Sequence, residues 1–215
     1  MNREAIVGAL FGKLTGPPLV FPFAADLTTG SPTLANVADT SGLMLGMPVS
    51  GDGVSEGATI ATVTPAVTLS LPAIADRSAA SLLQGFQTTG RRLRDPSAEQ
   101  DMPALYLVEL NELHAYRGST SGVVVELNCE AWIFTRVGAD ENAVPAAMLN
   151  FLIDAIERAL NPNGTHFRQN LGLNGIVYAR IEGELQKDPG HSAQTAMAVI
   201  PIKIAAAQHL DNFPI

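Results

Sequence analysis

Met148-Leu149-Asn150-Phe151-Leu152-Ile153-Asp154-Ala155-Ile156-Glu157-Arg158-Ala159-Leu160 is the stretch on which the fold turns. Leu149, Leu152, Ile153, Ile156 and Leu160 recur at the spacing of one helix face, so this segment predicts an amphipathic helix that covers a sheet. Asp154 and Arg158 stand as i,i+4 partners on its outer side. Asn161-Pro162-Asn163-Gly164 ends it. Two strands are expected next, over 175–185 and 193–206, flanking the turn residues Lys187-Asp188-Pro189-Gly190. In the second, Ala196, Ala198, Ile200, Ile202 and Ile204 form an inward row, and Pro201 on the opposite face implies an edge or a bulge. No nucleophile, metal cluster or phosphate loop separates these elements. Regularity spent on packing and pairing points to a part of an assembly.

Working outward, 123–137 reads as a long strand whose Val125, Leu127, Cys129, Ala131 and Ile133 share one parity. Its other face starts polar and ends with Trp132 and Phe134, which suggests a strand that finishes against a neighbour. Leu105-Tyr106-Leu107-Val108-Glu109-Leu110 is nearly continuously apolar, as for a strand covered on both faces. Gly118-Ser119-Thr120-Ser121-Gly122 is a loop between the two, and Asp140-Glu141-Asn142 with Pro145 supplies helix-start signals. Near the N-terminus, Ile6, Val7, Leu10 and Leu14 lie on one side of a helix that Gly16-Pro17-Pro18 stops.

Between Lys13 and Arg77 the texture changes: no Lys or Arg occurs, and Gly, Pro, Ser, Thr and Val dominate. Turn clusters such as Gly30-Ser31-Pro32 and Ser50-Gly51-Asp52-Gly53 separate short runs rich in Val, Ile and Thr. This describes a small all-β module, and Leu43, Met47, Val49, Ile60, Val67 and Leu69 give it apolar material to pack, which a flexible linker lacks.

The formal charge of −8, from 21 acidic residues against 13 Lys and Arg, disfavours non-specific nucleic-acid binding. The one concentrated set of cations, Arg91, Arg92 and Arg94, is the kind that pairs with carboxylates at an interface. Cys129 is the only cysteine and shares parity with buried positions, so it reads as a small core residue. Nothing resembles a signal peptide and no apolar run approaches the roughly 20 residues that span a bilayer, so synthesis in a cytoplasm-like compartment and no membrane association are expected.

His114, His166, His191 and His209 are scattered, with no i,i+4 spacing or cysteine pair to hold zinc. The glycines over 46–53 lack the Lys-Ser or Lys-Thr ending of a phosphate cradle and read as turns. Glu182 and Glu184 share strand parity with Arg180, so these three could converge on one face; such a row is usually solvated or subunit-facing. No catalytic, metal or cofactor-binding residue is assigned, and no cofactor is expected.

Phe86-Gln87-Thr88-Thr89-Gly90-Arg91-Arg92-Leu93, followed by Gln100-Asp101-Met102-Pro103-Ala104-Leu105-Tyr106-Leu107-Val108-Glu109, resembles the early block of tail terminator, or tail-completion, proteins of tailed bacteriophages and prophages. The helix quoted first looks like their long helix. Leu171-Gly172, Val177-Tyr178-Ala179-Arg180-Ile181-Glu182-Gly183-Glu184, Asp188-Pro189-Gly190 and Val199-Ile200-Pro201-Ile202-Lys203-Ile204 are similar to their C-terminal hairpin. The resemblance implies an α+β fold, a mixed or antiparallel sheet packed by helices: a tail-terminator-like core from 1–23 and 86–215, with 24–85 as an inserted small all-β domain.

Such proteins form a ring, commonly hexameric, on the head-proximal end of the tail tube, where they end tube polymerisation and present a surface to the head connector. The resemblance therefore implies a non-enzymatic virion protein assembled in the bacterial cytoplasm. Its partners would be copies of itself, the tail tube protein, the head–tail connector or neck protein and, through the inserted domain, the sheath. DNA would pass through the lumen without specific binding. Arg91, Arg92, Arg94, Trp132, Phe134, Arg180, Glu182 and Glu184 are the subunit-interface candidates under this reading. The alternatives are head–tail joining or tail-tube building in the same particle, a hydrolase using His191 and Glu184, and a carbohydrate- or receptor-binding module over 27–74.

Overall fold

The computed structural model describes residues 2–17, 19–94, 102–116, 123–136, 145–161, 169–188 and 195–208. The chain is a mixed α+β fold in which one sheet is packed on one face by two helices. Helix α1 spans Arg3–Thr15; the Asn2 side chain caps it by accepting from the Ala5 amide at 3.2 Å. Strands β1 (Val20–Leu27), β2 (Val49–Gly51), β3 (Ile60–Thr62), β4 (Thr68–Leu69) and β5 (Arg77–Gly85) follow. Then come β6 (Thr88–Gly90), β7 (Ala104–Tyr116), β8 (Val123–Arg136), helix α2 (Pro145–Leu160), β9 (Ile176–Ile181), β10 (Gln186–Asp188) and β11 (Thr195–Gln208).

The main sheet runs β10-β11-β8-β7-β6, with β9 also on β11; all pairs are antiparallel except β6 with β7. The alternation read from the sequence is what buries one face. Val125, Leu127, Cys129, Ala131 and Ile133 of β8 and the Ala/Ile row of β11 join Ile6, Val7, Leu10 and Leu14 of α1 and the predicted face of α2 in one core. Each large side chain in it is worth about 1.5–3 kcal/mol of burial. Cys129 is buried among them, and desolvation pushes its thiol up to about 11, which keeps it a neutral packing group.

Several expectations are corrected in detail. Leu105 and Leu107 pack into the helix-side core and Tyr106 into a cluster on the other face, but Leu110, which shares the parity of Tyr106, is exposed because that cluster does not extend to it. Arg158 donates to the Asp154 carbonyl at 3.2 Å rather than to its carboxylate. The strand expected over 175–185 stops at Ile181, a separate strand β10 takes up Lys187 and Asp188, which were expected in the turn, and β11 is no edge: β8 flanks it on one side, β9 and β10 on the other. Pro201 explains the break. A residue's N and C=O point to the same side of a strand, and the Pro201 carbonyl accepts from the Glu182 amide at 3.1 Å, so its donorless nitrogen faces the gap between β9 and β10. Gly183, at φ 135, fits the gap; a Cβ there would lie 3.0 Å from the Pro201 ring. The turn at 118–122, the cap at 140–142, Pro162-Asn163-Gly164 of the helix stop and Pro189-Gly190 lie outside the described residues.

The segment between α1 and β6 has a core of its own, in which Phe23, Leu27, Val49, Ile60, Leu69 and Leu82 pack together. Its sheet has the order β1-β5-β2, with β3 and β4 as a separate antiparallel pair. Strand β1 begins at Val20, four residues before position 24, where the resemblance starts the inserted domain. The reason is a paired stem: Val20 sits opposite Gly85, and pairing continues to Leu27 opposite Arg77. Entry and exit are thus adjacent, the geometry in which an insertion leaves the host sheet undisturbed.

Candidate interaction surface

The helices cover one face of the main sheet, and the candidate residues occupy the other face and the β7 side. On the face opposite the helices Ala104, Tyr106 and Phe134 form a small buried cluster with Trp132 and Met197 packed against it. Tyr106 and Phe134 meet edge to face at 6.1 Å, and Trp132 stacks on Phe134 at 6.4 Å. Phe134 is buried within its own chain, so of this pair Trp132 keeps the larger share of surface to offer a neighbour. Its indole N–H donates to Glu130 at 2.9 Å.

Further along the same face lies a charge network across three strands. Lys203 of β11 reaches Glu182 at 2.6 Å and Glu126 of β8 at 3.6 Å. Arg180 of β9 donates to Glu182 through Nε at 2.7 Å and a second guanidinium N–H, and lies 4.1 Å over the Tyr178 ring. Two cations thus face two carboxylates. Glu184 does not converge with them: β9 ends at Ile181, strand parity stops there, and Glu184 sits exposed in the gap. Lys203 and Arg180 hold the Glu182 carboxyl below its ordinary value of 4.5. Since the folded value is the lower one, this stabilisation is complete above 4.5 and is lost as pH falls through the folded value. Glu182→Gln is therefore expected to flatten part of the acid limb of a urea-midpoint-versus-pH curve below 4.5; an unchanged limb would mean the network contributes nothing to stability.

The three arginines separate. Arg91 donates to both oxygens of Glu4 on α1 and to Glu109 of β7 at 2.5 Å, so its charge is taken up inside the chain, and the two carboxylates raise its pKa. Arg3 adds a second clamp to Glu112 at 2.6 Å. Arg92 and Arg94 are exposed. Arg91→Glu is expected to cost roughly 1–3 kcal/mol by leaving Glu4 and Glu109 facing a third carboxylate, while the Arg92→Glu, Arg94→Glu double variant stays within about 0.5 kcal/mol. Urea denaturation measures both. Only the double variant then tests assembly cleanly, and unchanged assembly would remove Arg92 and Arg94 from the interface.

The clamp depends on a bulge that the sequence does not announce. Glu109 pairs with Cys129 but Glu112 pairs with Leu127, so one extra residue enters β7 between them. Both glutamates therefore face the helix side, where Arg91, Arg3 and Glu4 meet them. The same shift turns Leu113 to the face opposite the helices, where Leu110 already lies by the parity of Tyr106; the two are 57% and 54% exposed. Beyond Tyr106, opposite Gly90, no strand among the described residues pairs with the far edge of β7. A strand edge that no described strand pairs, beside two exposed leucines, is a surface suited to pairing with another chain.

Among the described residues no group of His, Cys, Asp or Glu is placed to hold a metal ion. His114 lies 3.2 Å from Glu112; His166, His191 and His209 lie outside the described residues. No described helix is long and apolar enough to cross a membrane. No protein-family model matches the chain, and no curated protein matches it.

Proposed function

We propose that this chain is a structural subunit of the tail-terminator type, whose copies close head to tail into a hexameric ring on the head-proximal end of a bacteriophage tail tube. The ring occupies the growing face of the last tube layer, ends polymerisation and offers its other face to the head connector, with no bond made or broken. The observation that carries the reading is the open far edge of β7 with Leu110 and Leu113 beside it, together with a helix-free sheet face carrying Trp132 and the Arg180–Glu182–Lys203 network. A closed heterologous ring needs two different complementary surfaces on one subunit, and these two differ in chemistry. The ordered sequence blocks that resemble tail terminators supply the place in the particle. The acidic excess suits a lumen through which DNA slides without sticking, and the 20–85 lobe is the surface for a sheath contact.

Negative-stain imaging of tails assembled with and without the protein tests this. Tails of defined length bearing a single cap in its presence, and overgrown tails in its absence, are the expected result. Normal length with tails that fail to join heads would assign it to head–tail joining, and copies stacked along the tail would make it a tube protein.

A further inference from the structure

The turn between β1 and β2 serves two cores at once. Leu43 and Val49 belong to the lobe core, whereas Met47 is buried in the main core and Met44 packs against it. The turn is built rigidly by the lobe: the Gly46 amide donates to Ile60 at 2.8 Å, the Ile60 amide to Met47 at 2.9 Å, and the Gly85 amide to Pro48 at 2.9 Å. Gln84, fully buried in β5, accepts from the Met44 amide at 2.7 Å and donates to the Gly42 carbonyl at 3.1 Å. Gly46, at φ 79, lies flat against the Phe151 ring of α2; a Cβ there would stand 2.7 Å from it. Phe151 lies off the α2 face that packs on the sheet and is 44% exposed, and it is this side of the helix that the lobe touches.

We propose that this turn is a latch that makes lobe and body one cooperative unit, so that force or contact received by the lobe passes into α2 and the main sheet rather than being absorbed at the β1–β5 stem. A stem of two strands alone leaves a lobe free to open and swing independently, because its own core is small. Seating Met47 and Met44 in the other core ties the two openings together. The device does not depend on what the lobe touches.

Native-state hydrogen exchange on the intact chain tests it, with the Leu82 amide reporting the lobe and the Ile202 amide the body. In the unsubstituted chain the two are expected to share one opening equilibrium and one denaturant slope. In the Met47→Ala, Phe151→Ala variant Leu82 is expected to exchange at least about tenfold faster than Ile202, with the smaller slope of a local opening. Distinct equilibria in the unsubstituted chain would overturn the proposal, as would reporters that stay coupled in the variant. If the variant does not fold, the unsubstituted chain's two reporters decide alone.

Discussion

Gly85→Ala is expected to lower the stability of the chain by at least about 3 kcal/mol, although it adds only one methyl group. Gly85 has φ +103, a conformation L side chains rarely adopt, and a Cβ built on it would lie 1.8 Å from the Leu19 carbonyl oxygen and 2.8 Å from its carbon. That obstacle is backbone, so no side-chain rotation relieves it. Relief requires β1 and β5 to separate at the first pair of the stem, Val20 opposite Gly85. Separation would press Gly85 toward Pro48, to which its amide donates from the other side of β5, and disturb Gln84 and Phe86, buried next to it in the chain. Gly57→Ala is the control. Gly57 also has positive φ, at 73, but nothing stands within 4 Å of its Cβ position, so only the backbone strain of about 1 kcal/mol is expected. Urea denaturation followed by circular dichroism compares the two. Equal losses would mean that the close approach at the stem does not exist in solution.

How much of this was legible in the sequence differs by kind of interaction. The helix faces of α1 and α2 and the inward rows of β8 and β11 were readable because each is a local periodic pattern with a single dominant cause, burial against one core. Pro201 was readable as a disruption, but not its consequence: the missing donor could equally have marked a strand with nothing beside it. Only the pairing partner shows that the flanking strand breaks instead. The lobe was visible through composition, since Gly and Thr replace Lys and Arg. Its entry was not, because Val20 and Phe21 are equally at home in the stem and in the main core.

The candidate surface was less legible, for a physical reason. Arg91 finds Glu4 and Glu109, which lie 87 and 18 residues away in sequence, and pairing at such distances leaves no trace in spacing. Glu109 and Glu112 share a face only because a bulge intervenes, and no Gly or Pro between them signals one. The same bulge brought Leu113 onto the face where Leu110 already lay, which strand parity alone would not have done. Parity failed in the opposite direction at Glu184, where a strand expected to continue had already ended.

Replacing Leu110 and Leu113 together by Lys is expected to leave the chain folded and to abolish ring assembly. Both side chains are already more than half exposed, so each substitution is expected to shift stability by no more than about 0.5 kcal/mol. Between subunits the balance is different. Covering the exposed half of a leucine is worth about 0.8–1.6 kcal/mol, and losing two such contacts weakens each junction by roughly 1.6–3 kcal/mol, a factor of about 10 to 10² in affinity. Lys beside an unpaired strand also opposes edge-to-edge pairing, since an added strand would have to desolvate its ammonium. A ring compounds the loss, because every junction carries the same substitution. The check is urea denaturation of the isolated chain beside imaging of tails assembled with the variant. Wild-type stability with overgrown, uncapped tails is the expected pair of results. Capped tails of normal length would show that the β7 edge is not where copies meet, and would move the interface to the helix-free face around Trp132 and Lys203.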